Sequence, residues 1–491
     1  MDSIATLRAL SDIIANAVTT VERTYKDAEL SPPSLDEPFD HHAPAEALRR
    51  DPVVVAAIQN LVAAAGQITA VMRDPALYVL DRAHGFQVSS CIQAVSQLNV
   101  AEFLREAGPE GMSVKEIAAR SNVDSKLLGE ASLIRAVSLA DATEARILRL
   151  LATHHIFREV STDVFANNRI SSTLDKGKSV DELLAKPDER LLETTGLSAL
   201  VEFLSEEVFK ASGFMAESFL DSSPLTPHMR AFKTDGNMFQ WFENPDNKHR
   251  LMRFGIAMKG SAAEEPVGTI FKDKISGFPW QNLTAGGVIV DVGGGLGATS
   301  LSIVKEYPTF KVVNQDRAPV IKQSKAHWQE FFPEYIEAGM VEFQPHNFLE
   351  AQPVKNAAAF LLRHITHDWS DANLVIILNH LRAAALPSTK LVIIESIVAP
   401  ACAGRSAHPQ VNNIRILGVP RKSAPPPLLA NFGVAAAPLY YYDLTMNNVL
   451  GGQERTLEGF YDVLLQSGWK LMEVYHCPET DWSHLVADPI F

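Results

Sequence analysis

The stretch that most constrains this chain is a glycine-rich turn between a short apolar segment and a helical one. Residues 288–292, VIVDV, predict a buried parallel strand, and GGGLG follows directly. Residues 298–307 then carry helical spacing, and a second strand over 311–314 ends just before Asp316. This order predicts a nucleotide-binding unit, in which glycines let a ligand approach the backbone and a carboxylate binds ribose hydroxyls.

The glycine turn alone leaves the ligand open. Gly293, Gly295 and Ala298 also fit the G-x-G-x-x-G/A pattern of dinucleotide-binding proteins, and tight glycine turns occur in doubly wound sheets without a nucleotide. The competition is mainly between a dinucleotide and S-adenosylmethionine, and residues further along the chain have to decide it.

Composition is typical of a globular protein of two or three domains. The chain has 491 residues, 46% of them hydrophobic, and a net charge of −14, which disfavours a nucleic-acid partner. Its three cysteines lie far apart, so neither a disulfide framework nor a thiolate metal site is expected. The amphipathic N-terminal segment is broken by charges, and we expect a cytoplasmic protein without membrane contact.

The first half of the chain is mainly helical. We predict an N-terminal helix and linker over 1–52 and a helical domain over 53–275 whose apolar surface suits packing against a second subunit. Ser113 and Glu116 form a capping-box pattern at the start of a winged-helix-like segment, which the stretch 129–144 interrupts. A winged helix can read DNA, but in an acidic chain it fits a dimerisation scaffold better.

Two features of this half could belong to binding sites. His41 and His42 are adjacent in sequence, but they do not face each other on a helix and have no further ligand at useful spacing, so no metal is expected there. The segment 236–260, which includes Met258, carries aromatic residues and methionines that are more typical of a core than of a pocket. Because it directly precedes the nucleotide-binding half, it is also a candidate roof over an aromatic substrate.

From about residue 276 the chain alternates strands and helices. Strands are predicted over 341–348 and 390–396, the stretch 357–371 is predicted as a strand followed by a polar tip, and Ser370 is the expected cap of an amphipathic helix. This alternation predicts an α/β domain with a doubly wound parallel sheet that binds ligands at the carboxyl ends of its strands. Six polar residues fall at such ends and are expected to converge: Asp291, Asp316, Asn347, Arg363, His367 and Glu395.

The segment 401–438 interrupts this alternation. It is rich in proline and alanine without a clear period, and we interpret it as a long loop or an insertion. The pattern resumes with a helix, the turn GGQERT, a further helix and closing strands over 469–475 and 482–486.

His367 lies in the tripeptide His367-Asp368-Trp369. A histidine with a near-neutral pKa suits the removal of a proton from a phenol or another hydroxyl. Glu395, one strand later, and Glu454, in GGQERT, could orient its ring and stabilise the imidazolium. The three residues predict a base with two carboxylates, and a reaction with such a base needs no metal.

These motifs resemble those of S-adenosylmethionine-dependent O-methyltransferases of the caffeate and flavonoid type, most closely the fungal enzymes of secondary metabolism. The matching segments are VDVGGGLGATSLSIVKEYP, NQD, FQPHNFLE, LLRHITHDWSD, VIIES and GGQERT. The resemblance implies a class I, Rossmann-like methyltransferase domain over 276–491 behind a mainly helical winged-helix dimerisation domain, and therefore a homodimer. It also implies S-adenosylmethionine as cofactor and a small hydroxylated aromatic or polyketide-like substrate.

The resemblance also implies roles for individual residues. His367 is the expected general base, with Glu395 and Glu454 beside it. The expected cofactor-binding residues are Gly293, Gly294, Gly295, Asp316, Asn347, Phe348 and Arg363, and Asn347 stands where an aspartate near the adenine is usual. The expected substrate-facing residues are Met258, Asp443, Met446 and Asn447. The segments 129–144 and 401–438 interrupt regions that normally build the dimer interface and the pocket.

Three alternatives stay open. A member of the same fold could bind the cofactor and catalyse a pericyclic or dehydration step, although such enzymes are expected to lose the base and carboxylates that this chain keeps. A winged-helix regulatory protein with a vestigial catalytic half is disfavoured by the same residues and by the acidic charge. A nicotinamide dehydrogenase would leave the His367 tripeptide and GGQERT unexplained.

Overall fold

The computed structural model describes residues 3–491 except for 122–144, 265–276, 405–407, 420, 422, 478–479 and 481. The chain divides into two units, Met1–Glu264 and Glu265–Phe491. The predicted domain boundary at residue 276 falls at the end of a segment outside the described residues, so its position stays a prediction.

The first unit is mainly helical. Its helices are Ser3–Asp27, Pro44–Leu48, Pro52–Met72, Pro75–Ala83, Gly85–Gln97, Val100–Ala107, Val114–Arg120, 145–153, Val180–Ala185, Leu197–Phe203, Phe209–Ser212, Met215–Leu220, Pro227–Phe232, Met238–Phe242 and Lys248–Glu264, with a π-helical turn at Leu204–Val208. The N-terminal helix packs along Pro52–Met72, and the buried Tyr25 hydroxyl donates to the Ala45 carbonyl at 2.8 Å. The helix Ser3–Asp27 thus packs within this unit, and the boundary at residue 52 stays a prediction.

Two helices of this unit, Ser3–Asp27 and Pro52–Met72, are long and apolar enough to cross a membrane by length and composition alone. Core helices of soluble proteins pass the same test, and these two helices pack against each other. The absence of membrane contact stays a prediction.

A small antiparallel sheet accompanies the helix Val114–Arg120. The Ser113 hydroxyl accepts a hydrogen bond from Glu116 N, and the Glu116 carboxylate accepts one from Ser113 N, which confirms the predicted capping box. The strands β1 Met112–Ser113, β2 Arg158–Ser161 and β3 Val164–Ala166 pair in the order β1-β3-β2. The stretch 129–144 lies outside the described residues, so the winged-helix assignment stays a prediction.

The second unit is built on a nine-stranded sheet. Its strands are β4 Val288–Val292, β5 Lys311–Asp316, β6 Val341–Pro345, β7 Ala357–Arg363, β8 Lys390–Val398, β9 Arg415–Gly418, β10 Arg455–Thr456, β11 Trp469–His476 and β12 Trp482–Pro489. The main order is β6-β5-β4-β7-β8-β12-β11-β9, and β10 pairs with β8. Strands β4 to β8 run parallel, whereas β12 is antiparallel to β8 and β11.

Helices cover both faces of this sheet because alternate residues of a strand point to opposite faces. Val290 and Val292 join one apolar cluster with Leu378, whereas Ile289 joins another with Trp328. The helices of the unit are Ala298–Glu306, Ala318–Phe331, Pro333–Glu337, Asp371–Ala384, Ala437–Leu450 and Leu457–Gln466. The predicted α/β, Rossmann-like class is confirmed.

Two local expectations hold only in part. Residues 401–438 are not only a loop, because β9 pairs in parallel with β11 at the edge of the sheet. A four-residue strand is too short to give a recognisable alternation among prolines and alanines. Ser370 occupies the position before the helix Asp371–Ala384, but its side chain makes no capping hydrogen bond.

Two neighbouring isoleucines on the helix Asp371–Ala384 test where this core lies. Ile377 is 0% exposed and Ile376 is 44% exposed. We expect Ile377→Ala to lower the free energy of unfolding by about 2–5 kcal/mol, because it removes buried methyl groups and leaves a cavity. Ile376→Ala, the matched control, should change it by less than about 0.5 kcal/mol. Denaturant titration of both variants followed by circular dichroism measures the difference, and equal losses would contradict the assignment.

Candidate active site

The glycine turn lies at the carboxyl ends of β4 and β5. Gly293 and Gly295 have φ angles of +75° and +58°, a region that favours glycine. The backbone N–H groups of Gly293 and Gly294 donate to the Gln315 carbonyl at 2.8 and 3.0 Å. A Cβ on Gly294 would lie 2.1 Å from Asn314 Oδ1, whereas one on Gly295 would meet no atom within 4 Å. The turn is thus held against β5 on one side and open on the other.

Asp316, the last residue of β5, faces this turn. Its Oδ2 accepts a hydrogen bond from Gly295 N at 3.0 Å, and its Oδ1 accepts one from Arg317 N at 2.7 Å. Burial raises the pKa of Asp316, although these two N–H donors oppose the shift. A carboxylate has about four acceptor positions, so each oxygen can still accept a hydroxyl. The acid and the open glycine backbone therefore fit the ribose of a nucleoside cofactor.

Phe348 also lies at the glycine turn. A Cβ on Gly293 would be 3.6 Å from its ring, and the ring stands edge-on to Trp369 at 5.5 Å between centroids. An aromatic ring at this place offers a packing surface for a flat base. The structure thus brings the predicted Phe348, Asp316 and glycines together.

Asn347 and Arg363 have local partners. Asn347 is exposed, and its Oδ1 accepts a hydrogen bond from Leu349 N at 3.2 Å within its own turn. Arg363 ends β7, and its guanidinium carbon lies 4.3 Å from the centre of the Trp482 ring. Neither contact tests the expected cofactor roles, which stay predictions.

His367 lies in the helical turn Thr366–Asp368, directly after β7. Its Nδ1 is 2.7 Å from Glu454 Oε1 and 3.7 Å from Glu395 Oε2. Glu395 belongs to β8, and Glu454 directly precedes β10, which pairs with β8. This strand pairing brings two carboxylates that are distant in sequence to one imidazole, as the motifs predicted.

The charges around His367 control its protonation. Burial alone would lower the pKa of His367, but the Glu395 charge and the hydrogen bond to Glu454 outweigh it and raise the pKa to about 10. Burial raises the pKa of Asp368 to about 7 and also raises that of Glu395, although the charge of His367 opposes both shifts. The imidazole of the protein alone is therefore protonated at neutral pH, with buried carboxylates beside it.

Glu395 also fixes the backbone that carries His367. Its Oε1 accepts hydrogen bonds from Ile365 N at 3.1 Å and from the N–H and hydroxyl of Thr366, both at 2.9 Å. One buried carboxylate thus positions the turn with one oxygen and approaches the imidazole with the other.

Arg455 holds the same turn and was missed in the sequence. It is 3% exposed and donates to the carbonyls of Thr366 and Trp369 at 2.6 and 2.7 Å and to Asp371 Oδ1 at 2.8 Å. The available signal was its position directly after Glu454 in GGQERT. A buried arginine with three fixed acceptors is a positioning group, because its planar fork sets the geometry of everything it binds.

His364 was also missed. Its backbone has a φ of +52°, and its ring lies 4.4 Å from the Trp482 ring and 5.3 Å from the His367 ring, measured between centroids. Burial, with the positive charges of Arg363 and His367, lowers its pKa well below the usual value. A lone histidine three residues before the tripeptide carried no pattern that could reveal this proximity.

The helix Ala437–Leu450 carries three of the predicted substrate residues and packs against the His367 turn. Asp443 Oδ1 accepts a hydrogen bond from Glu454 N at 2.9 Å, which places Asp443 beside Glu454. Met446 and Asn447 are partly exposed on the next turn of this helix. Met258 belongs to the first unit, where it is 38% exposed on the helix Lys248–Glu264. Its role stays a prediction.

A Rossmann-like sheet with a glycine turn and an acid at neighbouring strand ends is the architecture of class I methyltransferases. Residues 263–421 match the O-methyltransferase domain, and residues 80–177 match the O-methyltransferase dimerisation domain. An O-methyltransferase of Armillaria gallica is 36% identical over 99% of this chain and 100% of its own length. The 4-O-methyltransferase 1 of Phanerochaete chrysosporium is 35% identical over 96% of both chains.

The chain therefore belongs to the S-adenosylmethionine-dependent O-methyltransferase family, and the resemblance to fungal enzymes of secondary metabolism is confirmed. Among solved structures, the mitomycin 7-O-methyltransferase MmcR superposes with a TM-score of 0.59 at 19% identity, over 87% of this chain and 99% of its own. This similarity shows the shared fold.

Two glycines test how closely the His367 turn is packed. A Cβ on Gly452 would lie 2.0 Å from the His367 carbonyl, whereas the nearest atom to a Cβ on Gly459 is 3.5 Å away. We expect Gly452→Ala to displace the turn and lower kcat for methyl transfer by about 10²-fold or more, since small misplacements of catalytic groups have such effects. Gly459→Ala is the matched control and should keep the wild-type rate. Equal rates for both folded variants would contradict the close packing.

Proposed function

We propose that the protein methylates a hydroxyl group of a small aromatic or polyketide-like metabolite, with His367 as general base. The observation that carries this proposal is the hydrogen bond of 2.7 Å between His367 Nδ1 and Glu454, with Glu395 behind it. A histidine held by two carboxylates is suited to proton removal and serves no evident need of the fold. Retention of all three groups also speaks against a non-methylating member of the family.

The hydrogen bond to Glu454 decides which nitrogen acts. A carboxylate accepts hydrogen bonds, so Nδ1 carries a proton and Nε2 is the atom that takes one from the acceptor. Asp368 Oδ1 lies 3.6 Å from Nε2 and is too distant for a direct hydrogen bond. After proton transfer, Glu395 and Glu454 stabilise the imidazolium, while Arg455 and the Glu395 Oε1 contacts keep the turn in place.

The residues around the glycine turn are suited to hold the cofactor. S-adenosylmethionine supplies an electrophilic methyl group on a sulfonium. The open backbone of Gly293, Gly294 and Gly295 would line its methionine and ribose parts, and Asp316 would accept the ribose hydroxyls. Phe348 would pack against the adenine, with Asn347 at its edge and Arg363 near the same strand ends. The protein then mainly positions the two reactants and removes a proton.

The proposal also concerns the molecule that accepts the methyl group. Asp443, Met446 and Asn447 lie on the helix beside the His367 turn and would face it, and the expected role of Met258 rests on the sequence alone. The 4-O-methyltransferase 1 of P. chrysosporium acts, by its name, on a 4-hydroxyl group. We therefore propose phenols as acceptors, and a homodimer, formed through the dimerisation domain, working in the cytoplasm.

A binding experiment followed by a screen tests this proposal. Calorimetric titration should show S-adenosylmethionine binding and no NAD binding. Incubation with single-ring and fused-ring phenols that differ in hydroxyl position should then give methylated products by mass spectrometry. Binding of the cofactor without methylation of any hydroxyl would favour the non-methylating alternative.

Replacement of the base separates chemistry from cofactor binding. We expect His367→Ala to lower kcat by about 10²–10⁴-fold, because general-base catalysis contributes factors of this size. The dissociation constant for S-adenosylmethionine should stay nearly unchanged, since the turn Gly293–Gly295 and Asp316 are untouched. Single-turnover rates and calorimetry measure the two effects, and an equal loss of both would show that His367 is structural.

The pH profile tests the carboxylate pair. Base action needs neutral His367, and its pKa is about 10, so kcat/KM should rise with pH up to that value. Removing a negative charge lowers the pKa of an imidazole, so Glu454→Gln should move the rising limb to lower pH by about one unit or more and reduce the maximal rate. The acceptor's own ionisation is the internal control, because the variant leaves it unchanged. A limb at the same pH in both proteins would assign it to the acceptor and contradict the base role.

A further inference from the structure

The catalytic histidine belongs to a second arrangement of ligating groups. One ligand atom from each of His364, His367 and Glu395 lies within 4.8 Å of the others. Two imidazoles and one carboxylate are a donor set that zinc takes in enzymes, with a further position left open. We propose that these three residues bind Zn²⁺ and that the bound ion reversibly inhibits the enzyme. The inhibition rests on the proposed base function, whereas the binding does not.

Among the described residues, two buried polar atoms of these side chains lack a hydrogen bond, although one of them, Glu395 Oε2, lies 3.7 Å from His367 Nδ1. Glu395 Oε2 and His364 Nε2 are buried and accept or donate no hydrogen bond within the part of the chain that the structure describes. Glu395 is 1% exposed, and its other oxygen already takes three hydrogen bonds. A buried carboxylate oxygen without a donor is unfavourable, and a cation would satisfy it.

The side chain of His364 is held near this oxygen before any metal binds. Its left-handed backbone, with φ at +52°, is uncommon for a residue with a side chain and persists only where the surroundings fix it. The Trp482 ring packs edge-on against the imidazole at 4.4 Å. This restriction lowers the entropy that the imidazole loses when it becomes a ligand.

Zinc binding and catalysis would compete for His367. Neighbouring ligand atoms on tetrahedral zinc lie roughly 3.3 Å apart at bond lengths of about 2.0–2.2 Å, so the three side chains have to draw together. This movement would weaken the hydrogen bond between His367 Nδ1 and Glu454 Oε1, which are 2.7 Å apart. Zinc would displace a proton from the protonated His367 and occupy the nitrogen lone pair that this leaves, so the ring could no longer accept the proton of the hydroxyl.

The experiment uses the full chain, freed of metal with EDTA and titrated with ZnCl₂ by calorimetry. His364→Asn removes one ligand and keeps a residue that tolerates the left-handed backbone. The double variant His41→Ala/His42→Ala removes a histidine pair elsewhere in the chain, whose rings lie 4.3 Å apart on the surface. It is the matched control for adventitious zinc binding.

We expect the wild type and the double variant to bind one Zn²⁺ per chain and to lose methyl transfer, with EDTA restoring the rate. His364→Asn should bind Zn²⁺ at least about tenfold more weakly, and the methyl transfer that this variant retains should need correspondingly more Zn²⁺ for inhibition. Undiminished zinc binding by His364→Asn, or binding lost only in the double variant, would overturn the site. Zinc binding that depends on His364 in a protein without methyl transfer would support the site and contradict the proposed function.

Discussion

The site depends on the parallel pairing of a two-residue strand, Arg455–Thr456, with the end of β8. This pairing fixes Glu454 beside His367, whose Nδ1 also lies 3.7 Å from Glu395 Oε2, and brings Arg455 to the turn that holds the imidazole. The backbone hydrogen bonds between the two strands set the distance between them. The two carboxylates are therefore held at one ring by paired strands and not by a long, flexible loop. The chemistry of the protein thus relies on a very short element of the sheet.

The charged groups around His367 depend on one another for their stability. The imidazolium of His367 lies among Glu395, Glu454 and Asp368, and burial disfavours each isolated charge. Opposite charges compensate that penalty, which is why the pKa of the histidine rises despite its burial. A change in one member therefore alters the protonation of the others, and the cluster is better regarded as one titrating unit than as separate residues.

Much of the second unit could be predicted because its signals are local. The apolar runs of β4, β5, β7 and β8 and the glycine turn follow from strand length and backbone geometry. His367 and its carboxylates came from motifs at strand ends. Arg455, His364 and β9 could not be found in this way, since their partners are distant in sequence and only tertiary packing joins them. Ser370 shows a different limit of sequence reasoning. Serine is a favourable residue at the start of a helix, but here its side chain makes no capping hydrogen bond.

The short strand β9 has a consequence for how this sheet meets its surroundings. It pairs with Glu473–His476 of β11 and brings Arg415 into an ion pair with Glu473. A four-residue outer strand with a charged side chain offers a poor template for another chain, whereas an uncovered β11 would present free backbone groups. The strand thus protects β11 from backbone pairing with a second copy of the chain.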